Sequence, residues 1–184
     1  MKNKSIQQMT ISALLMAIAI VIPMISPIKI IIEPASFTLG SHIAIMIAMM
    51  ISPSVALGVE IGATLGFFIA GFPIVVVLRA LSQVVFVYVG ACILKKRPEL
   101  FKNMLSLVLF IGLTGVLHAV SEVLVSLPFY LGTLSDSNTL LYNVFGLVGI
   151  GTFVHHCFDY GLTLMIWKVL VKSKSIQAIS NIKS

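Results

Sequence analysis

The sequence predicts an all-α membrane protein, a compact bundle of about six transmembrane helices, on three observations. Of its 184 residues 59% are hydrophobic, only 10% are charged, and the charges gather at the ends of apolar runs. A soluble globule of this length needs far more polar surface to cover it. The mean hydropathy of +1.11 belongs to the membrane class. No polar stretch is long enough to hold a second unit, so residues 1–184 are expected to form a single integral membrane domain.

Each span needs roughly 20 apolar residues unless it is tilted or kinked. The first apolar run, "MTISALLMAIAIVIPMI", is longer than a signal-peptide core and has no small-residue cleavage site before "SPIK". It is therefore taken as the first span, from about Gln8 to Ile25, broken by Pro23 and Pro27. "IKIIIEPASFTLGS" follows, with β-branched residues, Pro34 and the charges Lys29 and Glu33. It predicts an extended loop with a short strand that folds back as an outer cap over a pocket. The second helix, "SHIAIMIAMMIS", is short, and Pro53 opens the third, which runs to about Gly71. Pro73 opens the fourth, ending at "LKKRPELFK"; the fifth spans about Met104 to Tyr130. After the polar turn "GTLSDSNT" the sixth runs from about Leu141 to Val171. No internal repeat is visible.

Orientation follows from the basic residues. With six spans and both the N- and C-termini cytoplasmic, Lys2, Lys4, Lys95, Lys96, Arg97, Lys102, Lys168, Lys172, Lys174 and Lys183 all lie inside. Only Lys29 and the intramembrane Arg79 do not, which is the asymmetry of the positive-inside rule. The net charge of +6 is thereby explained without nucleic acid. Trp167, near the inner end of the last helix, is expected to be an interfacial aromatic. Cys92 and Cys157 sit in apolar runs and are expected to be small packing residues.

Two stripes of small residues mark close helix contacts, which in lipid must come from tight packing because the tails supply no hydrophobic drive. In the third helix Gly58, Gly62, Gly66 and Ala70 recur every fourth residue, and an internal partner is expected. In the first, Ala13 and Ala17 form a shorter stripe on an end helix with an outward side, so an external partner is expected.

Ionisable groups at membrane depth carry the functional signal. They are His42, Glu60, Arg79, His118, Glu122, His155, His156 and Asp159, with His118 and Glu122, and His155 and Asp159, each four apart on one helix face. Each costs about 2.5–3.5 kcal/mol at a helix centre, so several together imply a shared polar interior. Counting 1.5 Å per residue puts His42, Arg79 and Glu122 in the outer half, and Glu60, His118, His155, His156 and Asp159 nearer the midplane. Structural pairing of Arg79 with Glu122 or Glu60, and of His155 with Asp159, remains open beside ligand binding. Arg79 is the natural anchor for an anion, because its charged fork grips a carboxylate through two parallel bonds.

The Ala13/Ala17 stripe on a small, basic-tailed six-helix chain resembles the substrate-binding S component of an energy-coupling factor (ECF) vitamin transporter. "LGSHIAIMIAMMISPSVALGVEIGATLGFFIAGFPIVVVLRALSQ" is most similar to the niacin-specific members. The resemblance implies a multi-pass protein of the bacterial plasma membrane that is not an enzyme and carries no cofactor or metal. It further implies vitamin capture from outside and turnover by a separate transmembrane coupling subunit driven by two ATPase subunits, with Ala13 and Ala17 at the coupling-subunit interface. The absence of a G-x-x-x-x-G-K-[ST] loop agrees, since ATP is then hydrolysed elsewhere.

Pocket residues differ widely within that family, so the expected substrate-binding set, His42, Arg79, His118, Glu122, His155 and Asp159, rests on their chemistry. Nicotinate is a planar ring with one carboxylate: Arg79 suits the carboxylate, an imidazole of His42, His118 or His155 the ring nitrogen, and Phe37, Phe129 or Tyr130 could stack on the ring. Other small anionic vitamins suit Arg79 as well. A membrane-embedded metalloenzyme using His118, Glu122, His155 and Asp159, or an ion or proton carrier built from the same groups, stays open. H-E-x-x-H and a nucleophile beside a base are both missing from the sequence.

Overall fold

The computed structural model describes residues 2–26, 29–32, 35–131 and 137–182. Helix α1 (Lys2–Ile25) leads into an antiparallel hairpin, β1 (Lys29–Ile32) and β2 (Ala35–Thr38), in which Lys29 faces Thr38 and Ile32 faces Ala35. The extended loop expected here is thus a paired ribbon, with Glu33 and Pro34 outside the described residues. Then come α2 (Ile43–Ile51), α3 (Pro53–Ile69), α4 (Ile74–Ser82), α5 (Val84–Lys96) and α6 (Met104–Tyr130). The last long element begins as α7 (Ser137–Leu140), continues through a π-helix (Leu141–Ile150) and becomes α8 (Gly151–Leu170); α9 (Lys174–Ile179) is the last helix described. Of the expected polar turn "GTLSDSNT", residues 132–136 lie outside the described residues, and helix begins at Ser137.

Among the described residues four stretches are long and apolar enough to cross a membrane: Lys4–Ile25, Ile74–Lys96, Met104–Tyr130 and Leu141–Leu170. Pro53–Ile69 is a shorter apolar helix. The chain is an all-α membrane protein.

Local chemistry sets the boundaries. Ser52 is extended, accepts the Val55 N–H at 3.2 Å and precedes Pro53 in the first turn, so α2 stops and α3 starts within two residues. Asn103 caps α6 in the same way, accepting the Ser106 N–H at 3.1 Å. The fourth expected helix bends rather than breaks: Gln83 N–H returns to Ala80 O at 3.0 Å, a tight turn between α4 and α5. The glycine-rich "FGLVGIG" weakens α-helical preference where the π-helix lies. It also removes side chains that would collide: a Cβ on Gly151 would sit 2.6 Å from Phe37 Cζ, and one on Gly149 would sit 3.2 Å from Val123 Cγ2.

The stripe on α3 is an internal contact, and its partner is α1: a Cβ on Gly62 would run into Met16, and one on Gly66 would lie 2.8 Å from Ile20 Cγ1. Gly58 faces open space. Ala13 and Ala17 are exposed, on α1 beside the exposed Leu14 and Ile18.

The main core joins Met46, Met49, Met50, Phe86, Val87 and Tyr160, all fully buried. At one end of the bundle it reaches α9 and the residues just after it, where Ile176, Ile179 and Ile182 belong to the same cluster. There Met50 O, freed by the α2–α3 break, accepts Asn181 N–H at 3.0 Å, and Gln8 Nε2 donates to Ser52 Oγ at 3.0 Å. Trp167 is a correction: expected at the interface, it is 5% exposed and packs within this cluster, because the chain after α8 folds back instead of leaving the bundle. Cys92 and Cys157 are free and half-buried.

Candidate substrate-binding site

At the opposite end, beneath the hairpin, polar groups from five elements surround a cavity of about 60 Å3. That is room for roughly four to six waters at about 10–15 Å3 each, the scale of one small ring. Phe37 and Thr38 come from β2, Ser41 and His42 from the turn before α2, and Phe67 from α3. Arg79 and Gln83 come from α4 and its end, His118 and Glu122 from α6, and Thr152 and His155 from α8.

Two hydrogen-bonded groups organise these residues. The first centres on Glu122, 4% exposed. Its Oε2 accepts Arg79 Nε at 3.0 Å, Arg79 Nη2 at 2.7 Å and Thr152 Oγ1 at 2.8 Å; its Oε1 meets His118 Nε2 at 3.1 Å and Gln83 Nε2 at 3.4 Å. Of the two partners that the sequence allowed Arg79, the structure selects Glu122. Five donors fill both carboxylate oxygens, so Glu122 holds the other groups in place and has little acceptor capacity left for a ligand. Arg79 keeps the end of its fork, Nη1 and the second Nη2 proton, without a hydrogen-bond partner among the described residues. That edge is the one that binds a carboxylate through two parallel bonds.

With neutral imidazoles, one proton pattern behind Glu122 satisfies the chain of histidines. As the ion-pair partner of Arg79, Glu122 accepts, so His118 Nε2–H donates to it and His118 Nδ1 must accept. His156 Nδ1, 3.2 Å away, then donates, and a neutral His156 accepts at Nε2 from Thr114 Oγ1 at 3.1 Å, which draws the one Thr114 hydroxyl proton away from Phe110 O at 2.9 Å. All members are buried, and every one is satisfied with neutral imidazoles. His118, packed 4.5 Å from Phe86 between ring centroids, therefore has both nitrogens committed. Of the three imidazoles expected near a ring nitrogen, His118 is thus taken up within the wall, while His42 and His155 line the cavity beside Asp159.

The second group centres on Asp159, fully buried and behind the cavity wall rather than in it. Its Oδ1 accepts Gly40 N–H at 2.8 Å; its Oδ2 accepts His42 N–H at 3.1 Å and meets His42 Nδ1 at 2.9 Å. His155 Nε2 lies 3.4 Å from the same oxygen and 3.4 Å from Ser41 Oγ. Gly40 has φ +81°, a conformation that suits glycine and aims its N–H at α8. His155 and Asp159 were expected deeper than His42, yet the three meet at one level. The count of 1.5 Å per residue assumed an α-helix, whereas a π-helix with its i to i+5 bonds is wider and advances less per residue.

The structure thus brings His42, Arg79, His118, Glu122 and His155 into the cavity wall and sets Asp159 behind it. Phe37 lines the cavity, 5.5 Å from His155 between ring centroids, whereas Phe129 and Tyr130 are not among its lining residues. Glu60 stands apart, fully buried, with Thr64 Oγ1 donating to Oε1 at 3.3 Å and Oε2 unpartnered among the described residues. Sequence reasoning missed Ser41, Gln83 and Thr152, uncharged residues whose importance comes only from facing Glu122 and His155. Gln83 had one available signal, lying four residues after Arg79 on the same helix face.

No family model matches the chain, and no solved structure matches it. Among curated proteins, the niacin transporter NiaX of Lactococcus lactis subsp. cremoris (strain MG1363) is 38% identical over 185 residues, an alignment that covers 100% of this chain and 83% of that protein. With its membrane-length helices and this relationship along its whole length, the chain is a multi-pass cell-membrane protein and belongs to the niacin-type substrate-binding S components of energy-coupling factor transporters.

Proposed function

We propose that this chain captures nicotinate from outside the cell in the cavity at Arg79, and hands it to a separate transmembrane coupling subunit driven by two ATPase subunits. The observation that carries the substrate is the free end of the Arg79 fork, held in orientation by Glu122 inside a cavity of about 60 Å3. The ligand carboxylate takes Nη1 and Nη2, and its ring lies among Phe37, Phe67 and Phe72. The ring nitrogen faces His42 or His155. A buried guanidinium that meets a carboxylate in a dry site forms a charge-assisted pair, stronger than a neutral hydrogen bond. The curated relative is a transporter of niacin, which favours transport over catalysis.

The bundle of six helices has both termini in the cytoplasm, with Lys95, Lys96, Lys102 and Lys168 at the inner face and the hairpin as the outer cap. Exposed Ala13 and Ala17 supply the small-residue face against which the coupling subunit packs. Calorimetry on detergent-purified protein with a panel of vitamins tests the substrate: nicotinate binds below about 1 μM, near −8 kcal/mol. Another small anionic vitamin bound tighter than nicotinate would reassign the substrate, and no binder below that limit would remove the pocket.

A further inference from the structure

We propose that His42, His155 and Asp159 form a binding site for a divalent transition metal of the zinc class, beside the vitamin pocket and with a coordination position open to it. His42 Nδ1, His155 Nε2 and an Asp159 carboxylate oxygen all lie within 4.8 Å of one another, brought together from the turn before α2 and from one face of α8. Two imidazoles and a carboxylate are the donor set of open zinc sites, in which a fourth position is left for water or ligand.

The spacing fits. In a tetrahedron the donors stand about 1.6 bond lengths apart, so bonds of about 2.0–2.1 Å require donor separations of about 3.3–3.4 Å. His155 Nε2 to Asp159 Oδ2 is 3.4 Å. His42 Nδ1 to Asp159 Oδ2 is 2.9 Å and needs to open by only about half an ångström. Ser41 Oγ lies 3.4 Å from His155 Nε2 and 3.5 Å from His42 Nδ1, on the side where a bound water would be held.

The surroundings resemble the outer shell of a built metal site. Gly40 N–H at 2.8 Å and His42 N–H at 3.1 Å fix the carboxylate, and His42 and His155 pack edge to face with ring centroids 4.9 Å apart. Such partners orient ligands before the ion arrives. Charge balance adds a reason. Arg79 and Glu122 cancel, which leaves the Asp159 carboxylate, just behind the wall, as the unmatched charge of the cluster when the imidazoles are neutral. A dication turns that deficit into a surplus at the edge of the cavity. Entry is through the cavity, which His42 and His155 line and Asp159 does not.

The test uses tag-free, chelator-treated full-length protein in detergent and metal alone, so its outcome is separate from that of the nicotinate experiment. Zinc titration by calorimetry is expected to give one equivalent with a Kd below about 1 μM. Cobalt(II) is expected to give the intense visible bands of a tetrahedral site, displaced by zinc. His42→Ala, His155→Ala and Asp159→Asn should each weaken zinc binding by at least 100-fold, while Glu60→Gln, outside the cluster, should not change it. Unfolding temperature in detergent identifies any variant that fails to fold, and His155→Gln, at the cluster's more exposed position, then serves in its place. Absence of stoichiometric zinc, or zinc retained at full affinity by folded variants of the three ligands, overturns the proposal.

Discussion

Replacing Arg79 with Gln removes the cation from a buried ion pair and leaves Glu122 with Thr152, Gln83 and His118 as its remaining donors. Loss of one member of a buried pair costs about 3–5 kcal/mol, because the other charge stays desolvated without its partner. The apparent unfolding temperature should therefore fall sharply. Nicotinate should also lose its anchor, about 2–5 kcal/mol of binding, which at about 1.4 kcal/mol per tenfold is a weakening of roughly 30-fold to several thousand-fold. A single variant cannot separate these effects, so the decisive protein is the double variant Arg79→Gln with Glu122→Gln. Two amides of similar volume carry no stranded charge, and the pair can exchange a neutral hydrogen bond. Stability should return to within about 1–2 kcal/mol of the parent, since a neutral replacement of a buried pair is often nearly cost-free.

Binding should not return. Calorimetry with nicotinate and with its amide on the same preparations completes the comparison. The parent should favour the acid, and the double variant should lose most of the acid affinity while changing amide affinity much less. If the folded double variant binds nicotinate within threefold of the parent, Arg79 is a structural partner of Glu122 and nothing more. If the acid and amide lose affinity equally, the defect is a change of cavity shape rather than a lost charge contact.

Three further outcomes follow from contacts elsewhere. Ala13→Trp and Ala17→Trp should bind nicotinate at parental affinity but co-purify poorly with the coupling subunit and fail in uptake by cells that express the whole transporter; parental uptake by both removes this face from the mechanism. Gly66→Ala should lower the unfolding temperature more than Gly62→Ala, because its new Cβ meets the branched, stiff Ile20 at 2.8 Å whereas Gly62 faces the adaptable Met16, and the reverse order in a melting assay would contradict the α1–α3 packing. Gly151→Val should displace Phe37 from its seat and weaken nicotinate binding by about twofold to twelvefold, the worth of an aromatic contact of about 0.5–1.5 kcal/mol; unchanged calorimetry would show that Phe37 does not touch the ligand.

How far the sequence carried these expectations depended on what each signal measures. Hydropathy and proline position report on the chain itself, so the Ser52–Pro53 junction, the start of α4 after Pro73 and the long α6 were all legible. The i to i+4 spacing correctly put His118 with Glu122 and His155 near Asp159, because it needs only one helix to be regular. Contacts between helices lay beyond such signals. The choice of Glu122 over Glu60 for Arg79 turns on which of its two packed neighbours, α3 or α6, the Arg79 side chain reaches, and the meeting of His42 with Asp159 turns on a π-helix that shifts α8 along its axis. Trp167 was misplaced because the fold-back of α9 over the core is a tertiary event. The polar residues that the sequence hid are hydroxyl and amide groups, Ser41, Gln83 and Thr152, which cost little to bury when a buried charge awaits them. Their positions carry the functional consequence. Each donates to, or lies beside, an ionisable group that the sequence did reveal, so the charged residues mark where the site is and the neutral ones determine which edge of each charge is left for a ligand. Arg79 is the clearest case: its charge was visible in the sequence, but the availability of Nη1 depends on Glu122 having taken Nε and Nη2.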